Sequence, residues 1–93
     1  MTRQVRLAPA ARSDLVRLVR FLSGKNPRAA RAAAKAIAEG LASLSESAER
    51  GRLAFPDHRE LIIRFGRDGY VAQYRVAPEV VVVARIFHAR EPR

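Results

Sequence analysis

Five side chains toward the C-terminal end have the chemistry to act on something: Arg64, Arg75, Arg85, His88 and Arg90. The last two form a His-x-Arg pair that closes an apolar run. An imidazole titrates near neutral pH, so His88 is suited to move a proton as a general acid or base. Guanidinium forks match phosphates and carboxylates, so the arginines are suited to grip a polyanion or the acidic side chains of a protein. A solvated charged face would use the same residues. His58, the second histidine, reads as a solvated loop residue. Two histidines without cysteine do not make the usual zinc ligand set, so no metal site is expected. There is no Gly-rich phosphate loop, no H-E-x-x-H and no thiol nucleophile, so neither a cofactor nor a complete catalytic set is expected.

Periodicity gives the helices and strands that carry these residues. Gln4 to Leu7 reads as a short strand with Val5 and Leu7 on one face. Pro9 suits the first turn of a helix, although Ala8 before it is a poor cap. Leu15, Leu18, Val19 and Leu22 then recur as one apolar stripe, and Ser23-Gly24 ends the helix. Asn26-Pro27 starts a second helix with a good cap. Its stripe of Ala30, Ala33, Ala34, Ile37, Leu41 and Leu44 begins with alanines, so a neighbour can approach closely there. The short connection makes the two helices an antiparallel hairpin. Gly40 inside the second helix costs about 1 kcal/mol relative to Ala and is expected to face a close neighbour.

Ser45 to His58 reads as a loop, with Phe55 pinning it to the core. Leu61, Ile63 and Phe65 alternate with Ile62 and Arg64, giving a strand that turns at Gly66-Arg67-Asp68-Gly69. Tyr70, Ala72, Tyr74 and Val76 share one parity, and both tyrosines are expected against the helices. After a turn at Ala77-Pro78, Val80 to Ala84 is apolar on both faces, as an inner strand or one covered by a partner would be. Arg64, Arg75 and Arg85 thus fall on three different strands, and alternation can gather some of them on one sheet face. The expected fold class is α+β: a two-layer β-α-α-β-β-β arrangement, its helical hairpin packed on a mainly antiparallel sheet.

Residues 1–93 are read as one domain with a modest core. No apolar run approaches the roughly 20 residues of a membrane span. The N-terminal stretch lacks the apolar segment of a signal peptide, so a cytoplasmic, soluble protein is the expectation. The net charge is +9, and apart from Lys25 and Lys35 the basic residues are arginines. Such a balance favours an acidic partner, nucleic acid or protein, and leaves direct nucleic-acid binding open. A GC-rich coding sequence yields the same arginine and alanine content without any partner, so charge alone does not decide.

Certain stretches carry more than periodicity. They are Leu7-Ala8-Pro9-Ala10-Ala11 with Asp14-Leu15, Asn26-Pro27 with Ala29-Ala30, and Arg50-Gly51-Arg52. Arg59-Glu60-Leu61, Gly69-Tyr70 with Tyr74-Arg75-Val76, and Arg85-Ile86-Phe87-His88-Ala89-Arg90 come after them in order. With these residues the chain resembles the RelE/ParE superfamily of type II toxin–antitoxin toxins, most nearly its ParE branch. The resemblance spans nearly the whole chain and implies the fold already read from the pattern. It also implies one of two activities. RelE-like members cut messenger RNA on the ribosome, whereas ParE-like members inhibit DNA gyrase without a hydrolytic site. Arg64 and Arg90 match two basic positions of the ribonucleases, but Ile62 and Val71 stand where others would be, and no tyrosine follows Tyr74. RNA cleavage needs a base, an acid and cations for the phosphorane, a set that His88 and scattered arginines fill only in part.

The resemblance therefore implies a ParE-like growth-inhibiting toxin of the plasmid-stabilisation type; the incomplete ribonuclease set leans against an enzyme and leaves that question open. DNA gyrase would be its target and a cognate antitoxin would neutralise it by direct binding in a hetero-oligomer. A RelE-like mRNA endoribonuclease is the alternative. Arg64, Arg75, Arg85, His88 and Arg90 are the residues expected to touch target or antitoxin. Two positions depart from the ParE pattern: Ala8 replaces a hydroxyl residue before the proline, and Ala89-Arg90-Glu91 lacks a second basic residue after His-x-Arg.

Overall fold

Val5 and Leu7 turn from β1 (Gln4–Leu7) onto the core, and Pro9 then opens α1 (Pro9–Ser23) with no side-chain cap, as Ala8 dictates. The computed structural model describes residues 2–54 and 56–92, so the expected pinning role of Phe55 lies outside the described residues. The start of α2 (Pro27–Ala42) is better made: the Asn26 side chain accepts from the Ala29 N–H at 3.1 Å. Ala30, Ala33, Ile37 and Leu41 form its buried face, with Ala11, Asp14 and Leu18 buried on α1.

The remaining strands are β2 (Arg52–Ala54), β3 (His58–Ile63), β4 (Tyr70–Val76) and β5 (Val80–His88). They join β1 in one sheet of order β1-β5-β4-β3-β2, antiparallel except for the parallel β1–β5 pair. The two-layer α+β reading holds, and β5 is indeed an inner strand, with Val81 and Val83 fully buried. Gly40 does face a close neighbour: a Cβ there would lie 2.9 Å from Ile63 Cγ1. Both tyrosines of β4 are buried in the core, where burial pushes their phenols up from the ordinary value.

Three local expectations are corrected. The segment 45–58 is not a plain loop. It follows directly on a 3₁₀ turn, Ser43–Ser45, and holds a second, Ala48–Arg50, and then the edge strand β2, so the sheet has five strands rather than four. Tyr74 organises it. Its hydroxyl donates to the Ala48 carbonyl (2.7 Å) and accepts from the Gly51 N–H (2.8 Å), closing the segment onto β4. The first meander strand also starts earlier than its apolar alternation suggests, at His58, because pairing with β2 extends it. At its other end β3 stops at Ile63, so Arg64 lies beyond it rather than on a strand. Finally, β5 contains a bulge. Tyr74 pairs with Val83 but Gln73 pairs with Arg85, leaving Ala84 as the extra residue. A bulge re-aims the side chains beyond it, and here it sets the direction of Arg85 and Ile86.

The tyrosine tie is testable. Tyr74→Phe removes a donor and an acceptor from buried backbone partners, which is expected to cost about 2 kcal/mol. In Gly51→Ala the new Cβ would meet Tyr74 Oη at 2.6 Å and the Glu60 carbonyl oxygen at 2.8 Å. Overpacking of that kind costs about 1–3 kcal/mol. Urea midpoints of both variants should fall; an unchanged midpoint for Tyr74→Phe would show that β2 and its turns are held by something else.

Candidate functional site

Asp14 sits inside the apolar stripe of α1 and is only 4% exposed. A bare carboxylate there would be costly, so its oxygens must be met. Arg85 meets them with a fork: Nε donates to Oδ2 at 2.7 Å and Nη2 to Oδ1 at 3.0 Å. Beside the bulge, the Ile86 N–H donates to Oδ2 at 2.9 Å. Burial is the largest single influence on this carboxyl and raises its pKa. The Arg85 bonds and charge, the Ile86 N–H and nearby Arg17 together outweigh it and hold Asp14 below the ordinary value. The carboxylate in turn pushes the Arg85 guanidinium up.

The network continues outward. Arg17 lies 3.5 Å from Asp14 Oδ1 and donates to Glu91 Oε2 at 2.9 Å. The other Glu91 oxygen accepts the His88 backbone N–H at 2.7 Å. The C-terminal turn is thereby fastened to α1. The His88 ring stands edge-on to Tyr70, centroids 5.7 Å apart, and its Nδ1 accepts the Arg90 N–H at 3.2 Å. Arg90 Nε donates to Asp68 in the β3–β4 turn, also at 3.2 Å. That turn bends where it does because Gly66 and Gly69 adopt positive φ (57° and 81°).

These pieces enclose a largely apolar groove of about 630 Å³ between the end of α1 and the β3–β4 turn. Leu18, Phe21, Leu22, Phe65, Tyr70 and His88 give it its character, with Arg17, Arg67 and Glu91 at its edge. Phe21 is 65% exposed, a large apolar side chain left in water at the mouth of an apolar cleft. Lys25 stands over its ring at 4.8 Å.

The five expected site residues are not gathered on one face. His88 lines the groove and Arg90 borders it through Asp68. Arg85 lies behind it, spent on Asp14 and stacked 4.8 Å from the Phe87 ring. Arg64 faces a second depression, beside Gly40 and Ile63. Arg75 lies apart on β4, 3.4 Å from Asp57. Sequence reasoning missed Asp14, Arg17 and Phe21. Two signals existed: a carboxylate within an apolar stripe, and a phenylalanine outside it.

A helical hairpin on one face of this five-stranded sheet defines the architecture of a RelE/ParE-like toxin. A chromosomal ParDE toxin–antitoxin system from P. aeruginosa matches it with a TM-score of 0.81 over 96% of this chain and 98% of that one; at 22% identity the likeness speaks for the fold. The toxin–antitoxin complex RelBE2 from Mycobacterium tuberculosis matches with a TM-score of 0.65 at 26% identity, covering 98% of this chain and 95% of that one. In sequence the chain is similar to Toxin RelE3 of Caulobacter vibrioides, 43% identical over 98% of this chain and 99% of that protein. Toxin RelE1 of the same organism is 39% identical over the full length of both. Residues 5–93 match the family model of the ParE toxin of the type II toxin–antitoxin system parDE. The chain belongs to that family, as a type II toxin of the RelE/ParE superfamily.

The Asp14 clamp makes a pH prediction. Because its folded pKa lies below the unfolded value near 3.8, its contribution is fully present above that value and is lost as pH falls through the folded one. Urea midpoints of the wild type should therefore drop steeply below about pH 4. Asp14→Asn should be less stable at pH 6 and show a flatter acid limb. Parallel acid limbs in the two proteins would mean that Asp14 does not carry this dependence.

Proposed function

We infer that this toxin acts by docking: it inhibits DNA gyrase and is neutralised by a cognate antitoxin that binds it directly in a hetero-oligomer. The observation that carries the reading is the character of the groove beside His88. Its wall is apolar, and of the cations around it Arg17 is engaged by Asp14 and Glu91 and Arg90 by Asp68, which leaves Arg67 at the edge as a single cation without an ion pair among the described residues. Gripping a scissile phosphate calls for convergent, uncommitted cations. An apolar cleft with an exposed aromatic at its mouth suits a protein segment instead. The net charge of +9 favours an acidic segment, which would lay its apolar side on Phe21, Phe65 and Leu22. Of the expected contact residues, His88 and Arg90 belong to this surface. Arg85 supports it through Asp14, while Arg64 and Arg75 would serve a wider antitoxin wrap.

A second reading, ribosome-dependent mRNA cleavage, is favoured by the RelE names of the Caulobacter relatives and by the position of His88 in a cleft. Two assays separate them. Purified toxin should block supercoiling by gyrase and accumulate cleaved DNA, while primer extension after induction should show no ribosome-phased cuts. The reverse pair of results, with cleavage lost in His88→Ala, would replace docking by catalysis. Phe21→Ala should leave the fold intact and weaken antitoxin binding by about 2 kcal/mol, roughly 30-fold in Kd. Calorimetric titration with the co-encoded antitoxin reads this directly, and unchanged affinity would move the antitoxin off the groove.

A further inference from the structure

Most cations on the sheet side have carboxylate or hydrogen-bond partners, although Arg64 and Arg67 near the β3–β4 turn are exposed without an ion pair among the described residues. Every cation of the observed ion pairs among the described residues, apart from Arg17, belongs to the sheet side or the C-terminal turn: Arg52 with Glu60, Arg75 with Asp57, Arg85 with Asp14, Arg90 with Asp68. Arg17 sits at the groove and is shared by Asp14 and Glu91. The helical hairpin gathers the larger unpaired set on its outer side. Arg12, Arg20, Arg28, Arg31 and Lys35 are all exposed, and none forms an ion pair or side-chain hydrogen bond with a described residue. The hairpin's acidic residues are Asp14, buried beneath it, and Glu39, one turn beyond Lys35.

Helical spacing makes these five a surface. On α1 the buried residues are Ala11, Asp14 and Leu18, and Arg12 and Arg20 lie away from them, eight residues and about 12 Å apart. They border one shallow depression together with Ser13, Val16 and the ion-paired Arg17. On α2 the buried residues are Ala30, Ala33, Ile37 and Leu41, and Arg28, Arg31 and Lys35 occupy the opposite side over about 10 Å. Packed helices run about 8–10 Å apart, so the result is two short cationic rows side by side.

We propose that this outer face of the helical hairpin binds the phosphate backbone of duplex DNA, independently of the groove and of whichever target the groove engages. The chemistry selects the partner. A protein interface needs central apolar anchors, commonly aromatic. Here only Val16 is a large apolar side chain, while Phe21 turns to the groove. Single-stranded nucleic acid needs stacking rings, which this face does not offer among the described residues. Reading an RNA duplex adds contacts to 2′-hydroxyls, for which the α1 row supplies a single short hydroxyl, Ser13, against five long cations across the face. There remains a set of long, flexible, mostly guanidinium cations without base-reading amides. That set recognises phosphates without regard to sequence.

The test is the salt dependence of binding, followed by fluorescence anisotropy of a mixed-sequence 24-base-pair DNA duplex, a probe length of about two helical turns. Five phosphate contacts predict a slope of log K against log salt of about −4.5. Arg12→Gln/Arg28→Gln/Lys35→Gln keeps good helix formers at exposed positions and should reduce the slope's magnitude by about 2.7. Arg20→Gln/Arg31→Gln, at other positions of the same face, should reduce it by about 1.8. Arg6→Gln/Arg64→Gln/Arg67→Gln removes as much charge as the first variant from exposed positions elsewhere and should change it by less than about 1. Matching circular dichroism and urea midpoints establish that all three variants fold. Equal weakening by the last variant would reduce the effect to net charge and overturn the proposal. So would absence of binding at low salt, or tighter binding of a duplex RNA or of polyglutamate.

Discussion

The Asp14 carboxylate is the constraint on which the geometry of this toxin turns. It is a charge placed in an apolar stripe, and such a charge is tolerated only while hydrogen-bond donors surround it. Those donors come from β5, two from Arg85 and one from the Ile86 backbone. An apolar contact between α1 and the sheet could slide by a fraction of a turn at little cost. A bidentate guanidinium with a backbone N–H cannot, because all three bonds have fixed directions. The clamp therefore fixes where the end of α1 stands over β5, and with it the width of the groove between Phe21 and Tyr70.

The same carboxylate reaches the surface through Arg17. That side chain bridges Asp14 to Glu91, and Glu91 holds the His88 backbone. The direction of the His88 ring is thus set from three sides: the strand, the turn behind it and the near-perpendicular Tyr70 ring. Preorganisation of this kind favours docking, because a surface already in its bound shape loses less entropy when a partner arrives. It also explains why Arg85 matters while standing away from the groove wall.

Much of the fold was legible because it rests on local patterns. The apolar stripes of α1 and α2, the Asn26-Pro27 start, the Gly66–Gly69 turn and the two-sided apolar run in β5 each announce themselves within a few residues. The hidden features depend on contacts distant in sequence. The strand β2 has three residues and no pattern of its own; β3 and the Tyr74 hydroxyl create it. The bulge at Ala84 arises from the meeting of two strands, and parity counted along β5 misplaces Arg85 and His88 without it. The groove was invisible for the same reason, since its walls come from α1, the β3–β4 turn and the end of β5. Asp14 was readable in retrospect as an acid at a core position, whereas its partner Arg85 lies 71 residues away.

Charge segregation adds a second layer to the same design. Near the groove the chain matches Arg17, Arg85 and Arg90 with carboxylates and leaves Arg67 alone unmatched among the described residues, so this region presents shape more than charge. On the hairpin's outer side no such matching occurs among the described residues, although an acidic residue at any of several exposed alanine or serine positions would have supplied it. Like charges one helical turn apart destabilise a helix by a few tenths of a kcal/mol per pair. Arg28 and Arg31 on α2 stand at that spacing, as do Arg31 and Lys35. Stability by itself would favour an acidic residue between them. A surface that forgoes that gain retains a cationic field, and such a field acts on a polyanion before contact, by steering its approach. The toxin thus presents two unlike faces, a neutralised apolar cleft suited to short-range fit and a bare cationic one suited to long-range capture. Both draw on α1, the cleft through Leu18, Phe21 and Leu22 and the cationic face through Arg12 and Arg20, so they occupy different sides of one helix with Arg17 between them.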